Sequence, residues 1–293
     1  MFGKGYLGVD FFLMLSGFLM TRTQEWRFTG VAAAWQFMTA RIGRLWPMMA
    51  LGGLIGAPVL FYRTGDLGHF LSLAIPNLLL LPASFMNVSY PLNIPAWTIF
   101  YELVANALHT LVFWRLKRWA LAVSLLVSLA ATIAVGMHWG SLDVGARPAH
   151  FLAGFPRIVF AYLLGMVLGR WWRDEPVVPV PVLPALTAMP VLFAAAWYFG
   201  WTGWIFDIVF VVLACPLIIA GGMRLQGAPR WALWSGMLSF PLFAVHMPVL
   251  QTSYELGLNY LLGGALALAA GIVATLATNW PRRRAAKNGE VPA

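Results

Sequence analysis

Apolar and polar positions alternate along this chain in long blocks rather than in the short periods of a soluble domain. Mostly apolar runs cover 6–21, 46–62, 97–114, 119–137, 151–169, 177–197, 203–221, 231–250 and 258–279. Each is close to the roughly 20 residues an α-helix needs to cross a bilayer. A tenth run, 70–86 ("FLSLAIPNLLLLPASFM"), is also apolar enough, but Pro76 and Pro82 interrupt it. Irregular backbone at membrane depth is tolerated where protein buries it. The pattern therefore predicts an all-α, polytopic transmembrane helix bundle of about nine full spans, with 70–86 re-entrant or lying at the surface.

One span breaks its own pattern. In "AWTIFYELVANALHT" the polar residues Thr98, Glu102, Asn106 and His109 follow spacings of four, four and three, which places them on one face of a helix. A carboxylate cannot face lipid cheaply, so this stripe is expected to line the protein interior or a wet cavity. Asn106 reads equally as glue between helices and as a substrate contact.

Composition excludes a soluble domain. The chain is 61% hydrophobic and 10% charged, with a mean hydropathy of +0.78, whereas soluble domains are about 25% charged. Its single cysteine, Cys215, rules out a disulfide framework and a cysteine-rich metal site, and no metal ligand set is expected. The net charge of +9 needs no nucleic acid, because positive-inside loops produce such a balance. Fifteen of the 19 lysines and arginines fall in loops of one side, that of the C-terminal "PRRRAAK". That side is expected to be cytoplasmic. Residues 1–281 read as one transmembrane domain and 282–293 as a short basic cytoplasmic tail, with no cleavable signal peptide and no further domain after it.

Besides His109, which would lie deep, five ionisable residues lie inside the runs: Asp10, Glu102, Arg157, Asp207 and His246. At about 1.5 Å per residue, all five are expected within roughly 10 Å of the outer surface. On the opposite side, "TARIGRLWP" carries Arg41 and Arg44 three residues apart, beside Trp35, Phe37 and Trp46. This segment reads either as an amphipathic helix on anionic lipid or as two guanidinium forks for the phosphates of a nucleotide-like ligand.

These residues together resemble a known family. "GYLGVDFFLMLSGFLM" is similar to the Gly-Val-Asp-x-Phe-Phe-x-x-Ser-Gly-Phe motif of the family 3 membrane acyltransferases. "RIGRLWP", "AWTIFYE", "PRIVFAYLLGM" and "SFPLFAVHMPV" follow in the family's order. The resemblance implies an integral membrane O-acyltransferase of the bacterial inner membrane. Such an enzyme moves an acyl group, often acetyl, from cytoplasmic acyl-CoA, a co-substrate rather than a bound cofactor, to a hydroxyl of an extracytoplasmic glycan. Asp10, Glu102 and Arg157 match its catalytic positions, with Arg157 either stabilising an oxyanion or pairing with Glu102. Arg41 and Arg44 match positions that meet the donor's phosphates. Trp97, Asn106 and His246 are the candidates for contacting substrate.

The chain departs from the family at its start. The family's presumed general base is a histidine in a helix before the Gly-Val-Asp motif, and this sequence opens directly on that motif. Either the start lies further upstream or the chain lacks its base, His246 being the nearest stand-in by depth. Broken helices with buried charges also suit a secondary transporter or flippase, but no matching pair of interrupted segments is visible.

Overall fold

Backbone N–H and C=O groups in hydrocarbon find no water, so apolar blocks of this length are satisfied as helices. The computed structural model is accordingly all-α. It describes residues 3–172, 175–225, 227 and 229–287, the last nine as backbone alone, and no strand occurs among them. The helices are α1 (Leu7–Thr23), α2 (Val31–Thr64), α3 (Leu67–Leu78), α4 (Ala96–Leu111), α5 (Arg118–Trp139), α6 (Gly154–Trp171) and α7 (Val182–Tyr198). They are followed by α8 (Trp204–Met223), α9 (Arg230–Glu255) and α10 (Tyr260–Lys287). Turns at Phe210–Ala214 within α8 are π-helical, a widening that frequently accompanies functional positions.

Five of these helices, α2, α5, α8, α9 and α10, are long and apolar enough to cross a membrane. Side chains such as Val123, Leu126 and Val127 on α5 remain exposed, as a lipid-facing surface requires. The chain is a multi-pass membrane protein. The other four expected spans correspond to α1, α4, α6 and α7, with 17, 16, 18 and 17 residues. Of these, α1, α4 and α6 carry the ionisable residues.

Three expected boundaries change. The segment around Arg41 and Arg44 is not a separate surface helix. It belongs to α2, a continuous helix of 34 residues and about 51 Å at 1.5 Å per residue. Pro47 and Pro58 both lie inside it, each removing one backbone hydrogen bond without ending the helix. Residues 70–86 do not form one element. Helix α3 spans only 12 residues, capped by Asp66 accepting from the His69 N–H, and is too short to cross a bilayer. The chain then loops to α4 with Leu80, Met86 and Asn87 at positive φ. At the other end α10 continues helical through Lys287, past the expected start of the tail, while 288–293 lie outside the described residues.

The chain divides into two compact units. The first holds Met1–Ala40 and Tyr101–Gly227; the second holds Arg41–Phe100 and Ala228–Ala293. In the first unit α1 packs along α6 with their backbones in contact. A Cβ on Gly17 would fall 2.3 Å from the Tyr162 carbonyl oxygen, and one on Gly165 2.0 Å from that of Met14. Small residues let membrane helices approach this closely. A core of Ala105, Leu121, Tyr162, Leu163, Met166 and Val167 ties α4 and α5 to α6. In the second unit the Asn93 Nδ2 donates to the Ala244 carbonyl (3.0 Å), and Asn77 Oδ1 accepts from the Leu92 N–H (3.1 Å). Asn77 thereby satisfies a backbone N–H of the irregular loop, and Asn93 a carbonyl of α9 that Pro248, four residues on, cannot pair. Arg63 and Glu255 form an ion pair at 2.6 Å.

Candidate active site

The close α1–α6 contact brings together two first-turn residues 147 positions apart in sequence. Asp10 and Arg157 are each 1% exposed. Arg157 Nε donates to Asp10 Oδ1 (2.8 Å) and Nη2 to Oδ2 (2.6 Å). The same guanidinium donates to the carbonyls of Val144 (3.0 Å) and Tyr6 (2.6 Å). Burying two charges is costly unless the geometry is good and further hydrogen bonds satisfy the remaining groups. Both conditions hold here. The expected pairing of Arg157 with Glu102 is therefore corrected: its partner is Asp10, because α1 is the helix that the glycines of α6 admit to close contact.

A second cluster joins this pair through Tyr6. Asp207, at the start of α8, is fully buried and accepts from Lys4 Nζ (2.6 Å), the Tyr6 hydroxyl (2.7 Å) and the Leu142 N–H (2.9 Å). Ser141 also reaches the Tyr6 hydroxyl, at 3.1 Å. Lys4, Tyr6 and Ser141 were not among the sequence candidates. Tyr6 carried a signal, since it caps the start of α1 one helical turn before Asp10. Lys4 and Ser141 lie in irregular segments, and spacing gave no indication of their partner.

On α4 the polar stripe is buried throughout: Thr98 is 2% exposed, and Glu102, Asn106 and His109 are 0% exposed. The Tyr162 hydroxyl of α6 donates to Asn106 Oδ1 (3.1 Å) and lies 3.0 Å from His109 Nδ1. Glu25 Oε2 stands 4.0 Å from His109 Nε2. His109 is thus held by a tyrosine at Nδ1, while Glu25 stands beyond hydrogen-bond reach of its Nε2. Trp97, in the first turn of α4, is also buried.

The remaining candidates belong to the second unit. Arg41, half-buried, and Arg44, exposed, lie three residues apart on α2. His246 is half-buried in α9, with its Nδ1 against the carbonyls of Leu242 (3.2 Å) and Phe243 (2.8 Å) in its own helix. In the loop before α6, His150 Nδ1 accepts from the Gly145 N–H (2.9 Å). Burial, then the positive charge of Arg147, holds this imidazole below its ordinary range, which suits an acceptor. Among the described residues, Asp10 is partnered by Arg157 rather than by an imidazole. No group of three or more His, Cys, Asp and Glu side chains that could hold a metal ion occurs among the described residues.

Among the described residues the arrangement offers three wholly buried carboxylates, at Asp10, Glu102 and Asp207, and the buried guanidinium of Arg157. Such groups suit proton transfer and the stabilisation of developing negative charge.

Comparison with known proteins gives this chemistry a context. Residues 5–281 match the profile of an acyltransferase domain family. The exopolysaccharide production protein ExoZ of Rhizobium meliloti (strain 1021) is 24% identical over 280 residues, covering 93% of the chain and 85% of ExoZ. Protein 2 in the picA locus of Rhizobium radiobacter is 32% identical over 124 residues, covering 36% of the chain and 65% of that protein, just under two thirds of its length. No solved structure matches the chain.

Proposed function

The chain belongs to the acyltransferase family whose profile spans residues 5–281, and on that footing we propose that it moves an acyl group from acyl-CoA to a glycan hydroxyl across the membrane. The donor group we infer is acetyl, the donor side is the cytoplasm, and the membrane is the bacterial inner membrane with the C-terminus cytoplasmic. The acceptor we infer is an exopolysaccharide or its precursor, by likeness to the exopolysaccharide production protein.

The observation that carries the reading is the buried constellation of Asp10, Arg157 and Glu102 in one unit of a membrane-spanning acyltransferase. In the reaction the hydroxyl oxygen attacks the thioester carbonyl carbon. A C–O bond forms, the C–S bond breaks, and the hydroxyl proton passes by way of a base to the departing thiolate. Glu102 is the carboxylate we assign to that proton, as a wholly buried acid on the polar face of α4. Asp10 then serves as a positioning residue that fixes the guanidinium. Four of the five N–H groups of an arginine are engaged by Asp10, Val144 and Tyr6. The fifth, on Nη1, is the donor we assign to the developing oxyanion. Arg41 and Arg44 would hold the phosphates of the donor.

The test is transfer of labelled acetyl from acetyl-CoA into alkali-labile esters of the exopolysaccharide, by the full chain in membranes. Glu102→Gln is expected to lower the rate by about 100-fold or more, the usual worth of a general base. Arg41→Ala combined with Arg44→Ala is expected to raise the KM for acetyl-CoA more than it lowers kcat. Full-rate transfer by Glu102→Gln would remove it from the chemistry.

A further inference from the structure

Within the first unit, the segments before α1 and after α5, with the end of α7 and its loop to α8, line an open cavity of about 530 Å³, within the size range of small-molecule sites. Tyr6, Trp197 and Trp201 supply aromatic walls, and Ser141, Asp143 and Thr202 supply polar edges. Both tryptophans are largely open, at 59% and 48% exposure, and a stacked Phe199 props the Trp201 ring at 5.2 Å between centroids. An electron-rich ring face beside hydroxyl and carboxylate groups suits a pyranose. The sugar's C–H face packs on the ring and its rim of hydroxyls meets the polar edge.

The charges select further. Lys4 also lines the cavity, but its ammonium is bonded to Asp207 at 2.6 Å and is already compensated. Asp143, exposed at the cavity edge, leaves the lining with a negative balance. An anionic sugar would be repelled and a neutral one accepted. The cavity lies beside the buried ion pair, since Tyr6, which lines it, gives its carbonyl to Arg157 and its ring stands 5.6 Å from that guanidinium.

We propose that this cavity is the acceptor subsite and binds a neutral glycosyl unit stacked on Trp197 and Trp201. The proposal rests on the acyltransferase reading and adds where, and in what chemical form, the acceptor docks. A sugar resting on Tyr6 lies one side chain from the Asp10–Arg157 pair.

The test is saccharide binding by the purified full chain in lipid nanodiscs, read by saturation-transfer NMR and calorimetry. The probes are a neutral β-glucan hexasaccharide and an oligogalacturonate of equal length. The neutral probe is expected to bind in preference. The double variant Trp197→Ala with Trp201→Ala is expected to weaken it by about tenfold or more, equivalent to 1.4 kcal/mol, and Trp197→Phe with Trp201→Phe is expected to retain it. Preference for the oligogalacturonate, no binding of the neutral probe, or binding unmoved by the alanine pair would overturn the proposal; the last would make the tryptophans membrane-interface anchors. No acyl transfer is needed for this readout. Binding without transfer would support the subsite while counting against the proposed function. Transfer with saccharide binding unmoved would do the reverse.

Discussion

Arg157 carries more of the site than any other single side chain, because one guanidinium holds Asp10, the loop at Val144 and the start of α1 at Tyr6. Asp10→Asn would leave that charge buried without its counter-charge, a change worth about 3–5 kcal/mol. We therefore expect a markedly lower thermal midpoint in detergent together with lost transfer. Replacing both partners, Asp10→Leu with Arg157→Met, is expected to recover most of the midpoint, since an apolar pair of similar volume often matches a buried ion pair. It should leave transfer absent. A double variant that regained transfer would show the pair to be structural only. At this scale the sequence was legible where local spacing decides: the Thr98, Glu102, Asn106 and His109 stripe is buried as its helical register requires. Partner choice was not legible. Glu102 and Asp10 stood at equal depth from Arg157 in the sequence reading, and only packing brings α1 against α6.

That packing is a property of elements. On α6, Gly165 meets the Met14 carbonyl so closely that a Cβ would lie 2.0 Å from it, with backbone on both sides and no flexible side chain to give way. Gly165→Ala must push α1 away and loosen Asp10 from Arg157. Overpacking of this kind costs about 1–3 kcal/mol, so a lower thermal midpoint and reduced transfer are expected. On α10, Gly264 has nothing within 4 Å of a Cβ, and Gly264→Ala should shift stability by only about 0.5 kcal/mol or less. Equal effects from the two substitutions would contradict the close-contact account. Most helices were visible beforehand as apolar blocks. Helix α2 was not visible as one piece, because Arg41 and Arg44 end the apolar run although nothing ends the backbone hydrogen bonding. The π-helical turns at Phe210–Ala214 leave no trace in an apolar pattern.

At the scale of the whole molecule, two helices, α2 and α4, each contribute residues to both compact units. Helix α2 carries the donor candidates Arg41 and Arg44, and α4 carries Glu102. The basic bias of the loops was legible without any structure, since it depends on counting charges alone. On the proposed function the acyl group leaves a donor on the basic side and arrives at a hydroxyl on the other. The most direct measurement uses sealed vesicles of the full chain with labelled acetyl-CoA only on the side of the C-terminus and exopolysaccharide only outside it. Label in alkali-labile esters of the polymer, dependent on Glu102, is the expected result. Label that appears only when donor and polymer share one compartment would contradict it.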